Sequence, residues 1–592
     1  MHKRQFSYFL LITFILVLSG CCPSRFDEVS SASGNNGVVV SSHPIASEIG
    51  LNVLKNGGNA IDAAIATGFA LGVVDQFNSG VGGGGFIVIR LADGTIYTID
   101  GRETAPAAAT RDMYLRDGKF DPDMSKLGPL AVGVPGILAA YVKALELAGT
   151  RTLSELISPS IKVARKGFAL DSYYLSRYNG AIDKFAEDPA SAKIYLHKDS
   201  SHLKEGDVLI QQDLAATYQK IAHGGLDYFY RGEFAEKLAE YMAKHGGLIT
   251  RVDMENYRIR MREPIMGTYH QYTVIGMAPP SSGGVHVIQI LNMLETSGVL
   301  EGKSKWDWNS VYWTTQFMRK AFEDRVVHLG DSDFYPVPVE RLISKSYADS
   351  CVRAIMNSEI ATAKASVPVD IALNARLLAT PQSLPCRQAG EILNPQSLVF
   401  GHTTNFAVID QWGNAVAVNQ TVNLTYGAKI TLPGTGVVLN NQMDDFSAQT
   451  GVSNAFGLIG SEANSIASGK RPLSSMSPTI VVNNGKPVMI LGGAGGPTII
   501  TAVLHNIIGV LDFGLDLTEA QMHPRFHHQF IPDKLFIEKH TSLFLKIGLR
   551  LKGIKLDNKK GLGRVQAIAW SDREQAYVGV PDPRGKGGAA AY

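Results

Sequence analysis

Two glycine clusters, one threonine pair and a group of histidines are the residues whose types and spacing could carry chemistry. Gly80-Val81-Gly82-Gly83-Gly84-Gly85 formally matches GxGxxG. A dinucleotide site needs that motif after a strand and opening a helix, so that the helix N-terminus holds pyrophosphate. Here Phe86-Ile87-Val88-Ile89-Arg90 follows and reads as a strand, so the cluster is expected to be a tight backbone turn under a site. The second cluster, Gly492-Gly493-Ala494-Gly495-Gly496-Pro497, falls between a strand and a helix. Pro497 suits a first helical turn, and the missing Gly-Lys-Ser/Thr excludes a nucleotide P-loop. Two readings stay open: a structural turn, or paired N–H groups forming an oxyanion hole for acyl transfer. Thr403-Thr404 heads a strand, an ordinary place for β-branched residues. His523, His527 and His528 have no carboxylate at ligand spacing, and strand neighbours face opposite sides. They are read as core or supporting residues, and no metal is expected.

The elements that must position these residues follow from periodicity. Val38-Val39-Val40 begins a strand, and residues 46–56 and 60–71 have helical spacing. Residues 86–90 and 95–99 form a hairpin about Asp93-Gly94. Residues 131–354 are expected to be mostly helical, with segments such as 136–147 and 232–245. Regularity is lost over 365–402, where Pro381, Pro385 and Pro395 fall. Beyond it, 405–410 and 415–420 form a second hairpin, with further strands at 437–439, 479–482 and 488–491 and a helix from 497 to 511. A helical half thus gives way to a strand-rich half at His402–Thr403, where the threonine pair stands.

Composition narrows the function classes. Of 592 residues, 45% are hydrophobic and 19% charged, an ordinary globular balance. Lys+Arg 56 against Asp+Glu 54 leaves +2, which removes the electrostatic case for nucleic acid. His2, Lys3 and Arg4 precede an apolar run, 6–18, too short to span a bilayer. Leu18-Ser19-Gly20-Cys21 resembles a bacterial lipoprotein cleavage box, with Cys21 as the lipidated first residue. Residues 1–20 are therefore expected to be a signal peptide and 21–37 a tether. Cys22 is not the Asp that commonly retains lipoproteins at the inner membrane, which favours the outer membrane or cell surface. The expected protein is exported, periplasmic or surface-exposed, and held to a bacterial membrane through its N-terminal lipid. Whether Cys351 and Cys386 pair is left open. The apolar stretch 497–517 contains His505, Asn506 and Asp512 and reads as a buried helix.

Longer strings give the threonine pair its company. They are Gly413-Asn414-Ala415-Val416-Ala417-Val418, Asn440-Asn441-Gln442-Met443-Asp444-Asp445-Phe446 and Lys470-Arg471-Pro472-Leu473-Ser474-Ser475-Met476-Ser477-Pro478-Thr479. With Gly495-Gly496, Pro524-Arg525-Phe526-His527-His528, Asp582-Pro583-Arg584, Gly82 to Phe86 and Asp100-Gly101-Arg102-Glu103-Thr104-Ala105-Pro106, they resemble the γ-glutamyltransferase (γ-glutamyltranspeptidase) family. The resemblance runs from Val38 to Tyr592. It implies an α+β N-terminal nucleophile hydrolase, an αββα sandwich formed jointly by a large subunit, 38–402, and a small catalytic subunit, 403–592. Self-cleavage between His402 and Thr403 would free Thr403 as nucleophile, without a cofactor. A freed α-amine, of ordinary pKa about 7.7–8.0, serves as base from the same residue.

By the same resemblance, Thr421 orients the Thr403 hydroxyl, and the Gly495 and Gly496 N–H groups hold the oxyanion. Arg102, Ser474 and Ser475 bind the substrate α-carboxylate. Asp445, Asn423 and Gln442 bind its α-ammonium. The implied substrates are glutathione and other γ-glutamyl compounds, with water, amino acids or peptides as acceptors. Rival readings are a glutaryl-type acylase, a poly-γ-glutamate hydrolase, or an unprocessed lipoprotein that binds γ-glutamyl peptides. Phe456 stands where some members carry Tyr in a covering loop, and His402 and Asn405 are less usual neighbours of the nucleophile.

Overall fold

All eight residues of the strand Thr403–Asp410 are buried, and their side chains alternate between two different cores. Phe406 and Val408 face a helical layer, whereas Ala407 and Ile409 face a second sheet. The same parity separates Val39 from Val38 and Val40, and Val416 and Val418 from Ala415 and Ala417. Period-2 alternation in which both faces are apolar marks a strand covered on both sides. The alanines on the inter-sheet side leave room for close sheet packing.

The computed structural model describes residues 30–364, 402–449 and 451–592. The expected signal peptide, Cys21, Cys386 and the irregular stretch 365–401 lie outside the described residues.

The main elements, in chain order, are β1 (Ala32–Gly34), β2 (Gly37–Ser41), α1 (Pro44–Lys55), α2 (Ala60–Val74), β3 (Gly84–Arg90), β4 (Ile96–Gly101), α3 (Ile137–Ala148), β5 (Arg260–Arg262), β6 (Ile265–Tyr269) and β7 (Tyr272–Gly276). They continue with α4 (Gly283–Ser297), α5 (Trp308–His328), β8 (Thr403–Asp410), β9 (Ala415–Thr421), β10 (Thr479–Asn483), β11 (Lys486–Ala494), α6 (Thr498–Leu511), α7 (Leu543–Leu551), β12 (Arg564–Ser571), β13 (Ala576–Val580) and β14 (Gly588–Ala591). One seven-stranded sheet runs β1-β13-β12-β11-β10-β7-β6, and the other β14-β2-β8-β9-β3-β4-β5. They pack face to face through β8, β9, β11 and β12. Helices α1, α2 and α3 cover the second sheet, and α4 and α6 cover the first, giving four αββα layers. Each sheet draws strands from both sides of His402–Thr403.

Two expectations need correcting. The stretch 131–354 is mostly helical but also contributes β5, β6 and β7. β6 and β7 form a hairpin whose outer partner, β10, lies some 200 residues downstream, with Gly276 paired to Thr479, and β5 pairs with the distant β4. Within the expected tether, Ala32–Gly34 is a strand paired with Tyr577–Gly579. An edge strand leaves unpaired backbone groups, and a small, extended segment beside it satisfies them.

The hairpin carrying Thr403 is pinned from outside the sheet. Asp410 accepts from the Trp412 and Asn414 N–H groups in the turn, and from the first N–H of α2 at Ala60, 2.9 Å away.

Candidate active site

Antiparallel register places Thr403 opposite Thr421, with the two hydroxyl oxygens 3.4 Å apart. The Thr421 hydroxyl donates to the His402 carbonyl at 2.9 Å and accepts from the Asn423 N–H at 2.9 Å. A chain of hydroxyls therefore runs from Thr403 to the carbonyl of the peptide bond that precedes it. Strand parity sends the neighbouring Thr404 to the opposite face. It bonds there to Ser42, which donates to Asp75 at 2.7 Å. Burial pushes the Asp75 carboxyl up to about 6, opposed by the Ser42 hydrogen bond. The first glycine cluster is the turn that lets backbone pass behind this pair. A Cβ on Gly83 would lie 2.0 Å from the Thr421 carbonyl oxygen.

Across the seam between the sheets, β11 ends at Ala494, and Gly495 and Gly496 take φ of 137° and 58° before α6. Those are left-handed-region values that a side chain disfavours. Thr498 closes the turn by donating through its hydroxyl to the Gly495 carbonyl at 2.7 Å. Among the described residues, neither the Gly495 nor the Gly496 N–H has a hydrogen-bond partner. Phe456 lies over this turn, its ring 2.9 Å from where a Gly496 Cβ would be. Two asparagines bridge the sheets behind it. Asn405 donates to the Gln566 carbonyl at 3.0 Å and accepts from its N–H at 3.2 Å, and Asn419 donates to the Gly493 carbonyl.

The far end is charged. The Arg102 guanidinium, fully buried, pairs through Nη2 with Asp445 at 2.5 Å and donates through Nε to the Pro472 carbonyl at 3.2 Å. Gln442 donates to the same Asp445 oxygen at 2.7 Å. Buried Arg102 Nη1 has no hydrogen-bond partner and lies 3.7 Å from Glu103, and Gln442 Oε1 has none either. The loop bearing Ser474 and Ser475 is stitched to residues 279–282: the Ser474 N–H donates to Pro280, and the Ser282 N–H to Ser474. Arg325, from α5, donates to Ser282 at 3.2 Å and to Ser475 at 3.5 Å.

Burial sets the electrostatics. It lowers Arg325 to about 10, and it pushes Glu103 up to about 7 against the opposing Arg102 charge. Burial also raises Asp444 to about 6, where it accepts from Ser125 and from the Ala455 N–H of the loop carrying Phe456. His402 is held well below the ordinary histidine range, first by burial and then by the Arg177 and Lys429 charges.

These two ends meet in one cavity. Its lining includes Arg102, Thr403, Thr421, Asn423, Gln442, Asp445, Ser474, Ser475 and Gly496. Of the site residues singled out in the sequence, Gly495 and His402 do not line it although each adjoins a residue that does, and Cys21 lies outside the described residues. Arg325 and Phe456 also line it. Arg325 was missed because it sits in the last turn of α5, in a segment without a motif, and only the fold brings it to Ser475. The histidines fall elsewhere: His527 bonds to Thr501 and Gln529, and His528 to Asp533.

A family model described as gamma-glutamyltranspeptidase matches residues 46–592. The chain belongs to the γ-glutamyltranspeptidase family. The glutathione hydrolase proenzyme of Escherichia coli (strain K12) is 40% identical over 563 residues, covering 94% of this chain and 92% of its own. The acylase ACY 1 proenzyme of Pseudomonas sp. (strain SE83) is 38% identical over 506 residues, 84% of this chain and 83% of its own. Cephalosporin acylase from Bacillus halodurans superposes with a TM-score of 0.78 over 97% of this chain and 98% of its own, at 24% identity, and shares the fold. The γ-glutamyltranspeptidase family and its acylase relatives thus have the same sandwich. The residues lining the cavity must distinguish their chemistry.

Proposed function

We propose that this γ-glutamyltranspeptidase-family enzyme cleaves itself before Thr403. It then transfers the γ-glutamyl group of glutathione and related amides to water, amino acids or peptides. In the intact chain, the Thr403 hydroxyl attacks the His402 carbonyl carbon, giving its proton to the Thr421 oxygen while Thr421 passes its own proton to the carbonyl oxygen. As the carbonyl re-forms, the C–N bond breaks and that proton passes to the departing nitrogen, which becomes an amine, and water hydrolyses the resulting ester. The products are a His402 carboxylate and a free Thr403 α-amine.

That amine is the base the mature enzyme needs, since a threonine hydroxyl is a weak nucleophile until its proton is taken. Thr403 then attacks the γ-amide carbonyl, and the oxyanion sits against the Gly495 and Gly496 N–H groups. The amine product departs with a proton, and water or an acceptor amine releases the γ-glutamyl ester. Arg102 Nη1, with Ser474 and Ser475, receives the α-carboxylate. Asp445 and Gln442 Oε1 receive the α-ammonium.

The observation that carries this reading is the pairing of an unmatched buried donor, Arg102 Nη1, with an unmatched buried acceptor, Gln442 Oε1, in the nucleophile's own cavity. A zwitterionic γ-glutamyl terminus satisfies both, whereas a glutaryl carboxylate satisfies only the donor. The test compares a γ-glutamyl anilide with a glutaryl anilide under identical conditions. Faster turnover of the γ-glutamyl compound, accelerated by an added dipeptide, is expected. Preference for the glutaryl compound would move the protein to the acylase reading.

The same proposal places the enzyme outside the cytoplasm, lipid-anchored at Cys21, on the strength of Leu18-Ser19-Gly20-Cys21. Radiolabelled palmitate should enter the wild type and not Cys21→Ser. Label in both would refute the anchor.

A further inference from the structure

Helix α7 carries apolar residues on two faces, and the protein covers only one. Leu549 is buried and Leu545 packs partly against the core. Gly548 lies against Trp308 so closely that a Cβ would sit 2.7 Å from that side chain. This face seats the helix on α5. On the other side, Leu543, Phe544, Ile547 and Leu551 are 65%, 72%, 43% and 84% exposed. At about 100° per residue, these four positions fall within an arc of about 100°. Trp308, 43% exposed, stands where the helix meets α5. Globular surfaces normally carry large hydrophobics singly, and a contiguous stripe marks a contact surface.

The charge around the stripe has one sign. Residues 539–555 contain Lys539, Lys546, Arg550, Lys552 and Lys555 and no Asp or Glu, in a chain whose charges otherwise nearly balance. Lys539, Arg550, Lys552 and Lys555 are exposed, whereas Lys546 is buried and donates to the Lys539 carbonyl at 2.6 Å. The flanking acids are engaged elsewhere: Glu538 with Arg584, and Asp557 with Lys534 and Lys559.

We propose that α7 docks this enzyme on an anionic lipid surface. The helix lies in the interface plane, with Leu543, Phe544, Ile547 and Leu551 at the acyl boundary and Lys539, Arg550, Lys552 and Lys555 against lipid phosphates. A second copy of the chain fits the stripe poorly, because a self-complementary contact would set four exposed cations against four. One face of a nine-residue helix also falls short of the about 800 Å² per partner of a stable protein interface. A bilayer demands no shape match, and its headgroups supply the missing anions. The inference is independent of the catalytic reading.

The test uses the mature chain from residue 22 onward, exported behind a leader that is removed without lipid attachment. It is floated with vesicles of phosphatidylcholine alone or mixed with phosphatidylglycerol. Co-flotation at least about tenfold stronger with phosphatidylglycerol, falling as salt rises, is expected. A variant with Leu543, Phe544, Ile547 and Leu551 all changed to Ser should lose at least about tenfold of that binding and keep wild-type turnover. Phe544→Ser alone, at the most exposed aromatic position, should lose part of it and guards against a folding defect. Absence of vesicle binding, or equal binding by wild type and both variants, would overturn the proposal. Self-association in sedimentation that disappears in the serine variants, without vesicle binding, would assign the stripe to a second copy instead.

Discussion

At one end of the cavity, Thr403, Thr421, Gly495 and Gly496 contribute hydroxyls and backbone N–H groups and no side-chain charge. At the other, Arg102, Arg325 and Asp445 contribute two cations and an anion, and Arg102 and Arg325 are buried. The first end is made by strand ends and a turn, so it depends on backbone position. The second is made by side chains from distant segments, so it depends on charge compensation. Removing a methylene's worth of space should hurt the first, and removing a charge should hurt the second. Substitutions that separate kcat from KM test that division.

The largest effect is expected for Asp445→Ala, which leaves Arg102 without its 2.5 Å partner and removes the acceptor for an ammonium. Steady-state kinetics should show kcat/KM for γ-glutamyl amides falling about 10³-fold, chiefly through KM, the scale of losing one member of a buried charge pair. An equal fall in kcat with unchanged KM would erase the distinction between the ends. Next comes Gly496→Ala, at φ 58° and pressed by Phe456. Its kcat should drop about 10²-fold with KM nearly unchanged, as for a displaced oxyanion donor. A KM effect would place Gly496 in recognition.

Asn405→Ala should be milder. It cuts both hydrogen bonds to Gln566, the tie between the nucleophile's strand and the facing sheet. A roughly tenfold loss of kcat at constant KM is expected from a slightly displaced nucleophile. Unaltered kcat would show that the bridge serves stability alone.

The smallest effect concerns pH. Glu103 titrates at about 7 in the folded protein against an ordinary value of 4.5. A raised acid binds its proton more tightly when folded, so its contribution is complete below pH 4.5 and is lost as pH rises through about 7. Gln cannot lose a proton. The stability of Glu103→Gln relative to wild type should therefore increase between pH 5 and pH 8, by at least about 1 kcal/mol in urea unfolding. A constant difference would mean that Arg102 keeps Glu103 ionised throughout.

The two ends also differ in how far the sequence revealed them. The strands around Thr403 announce themselves by alternation, and the Gly495-Gly496 turn by its place between a strand and a helix. A register of Thr403 opposite Thr421 follows once that hairpin is drawn. The charged end needed the fold. Arg102, Asp445 and Ser474 stand in recognisable strings, but their convergence depends on strand pairings spanning hundreds of residues. Arg325 carried no local signal. The αββα architecture was legible through resemblance, whereas β5–β7 and the edge strand β1 were not. Their segments are short and weakly alternating, and β1, β5 and β7 each pair with a strand far away in the sequence.

The central claim is that Thr403 becomes the nucleophile by being freed at its own amine. Intact mass of the purified mature protein, beside Thr403→Ala, tests it most directly. A chain of 592 residues and 63.9 kDa predicts, before lipid, fragments of roughly 41 kDa and roughly 21 kDa if it is cut before Thr403. Both fragments in the wild type, with one uncut chain in the variant, are the expected result. A single uncut chain in the wild type, turning over γ-glutamyl substrate all the same, would contradict it.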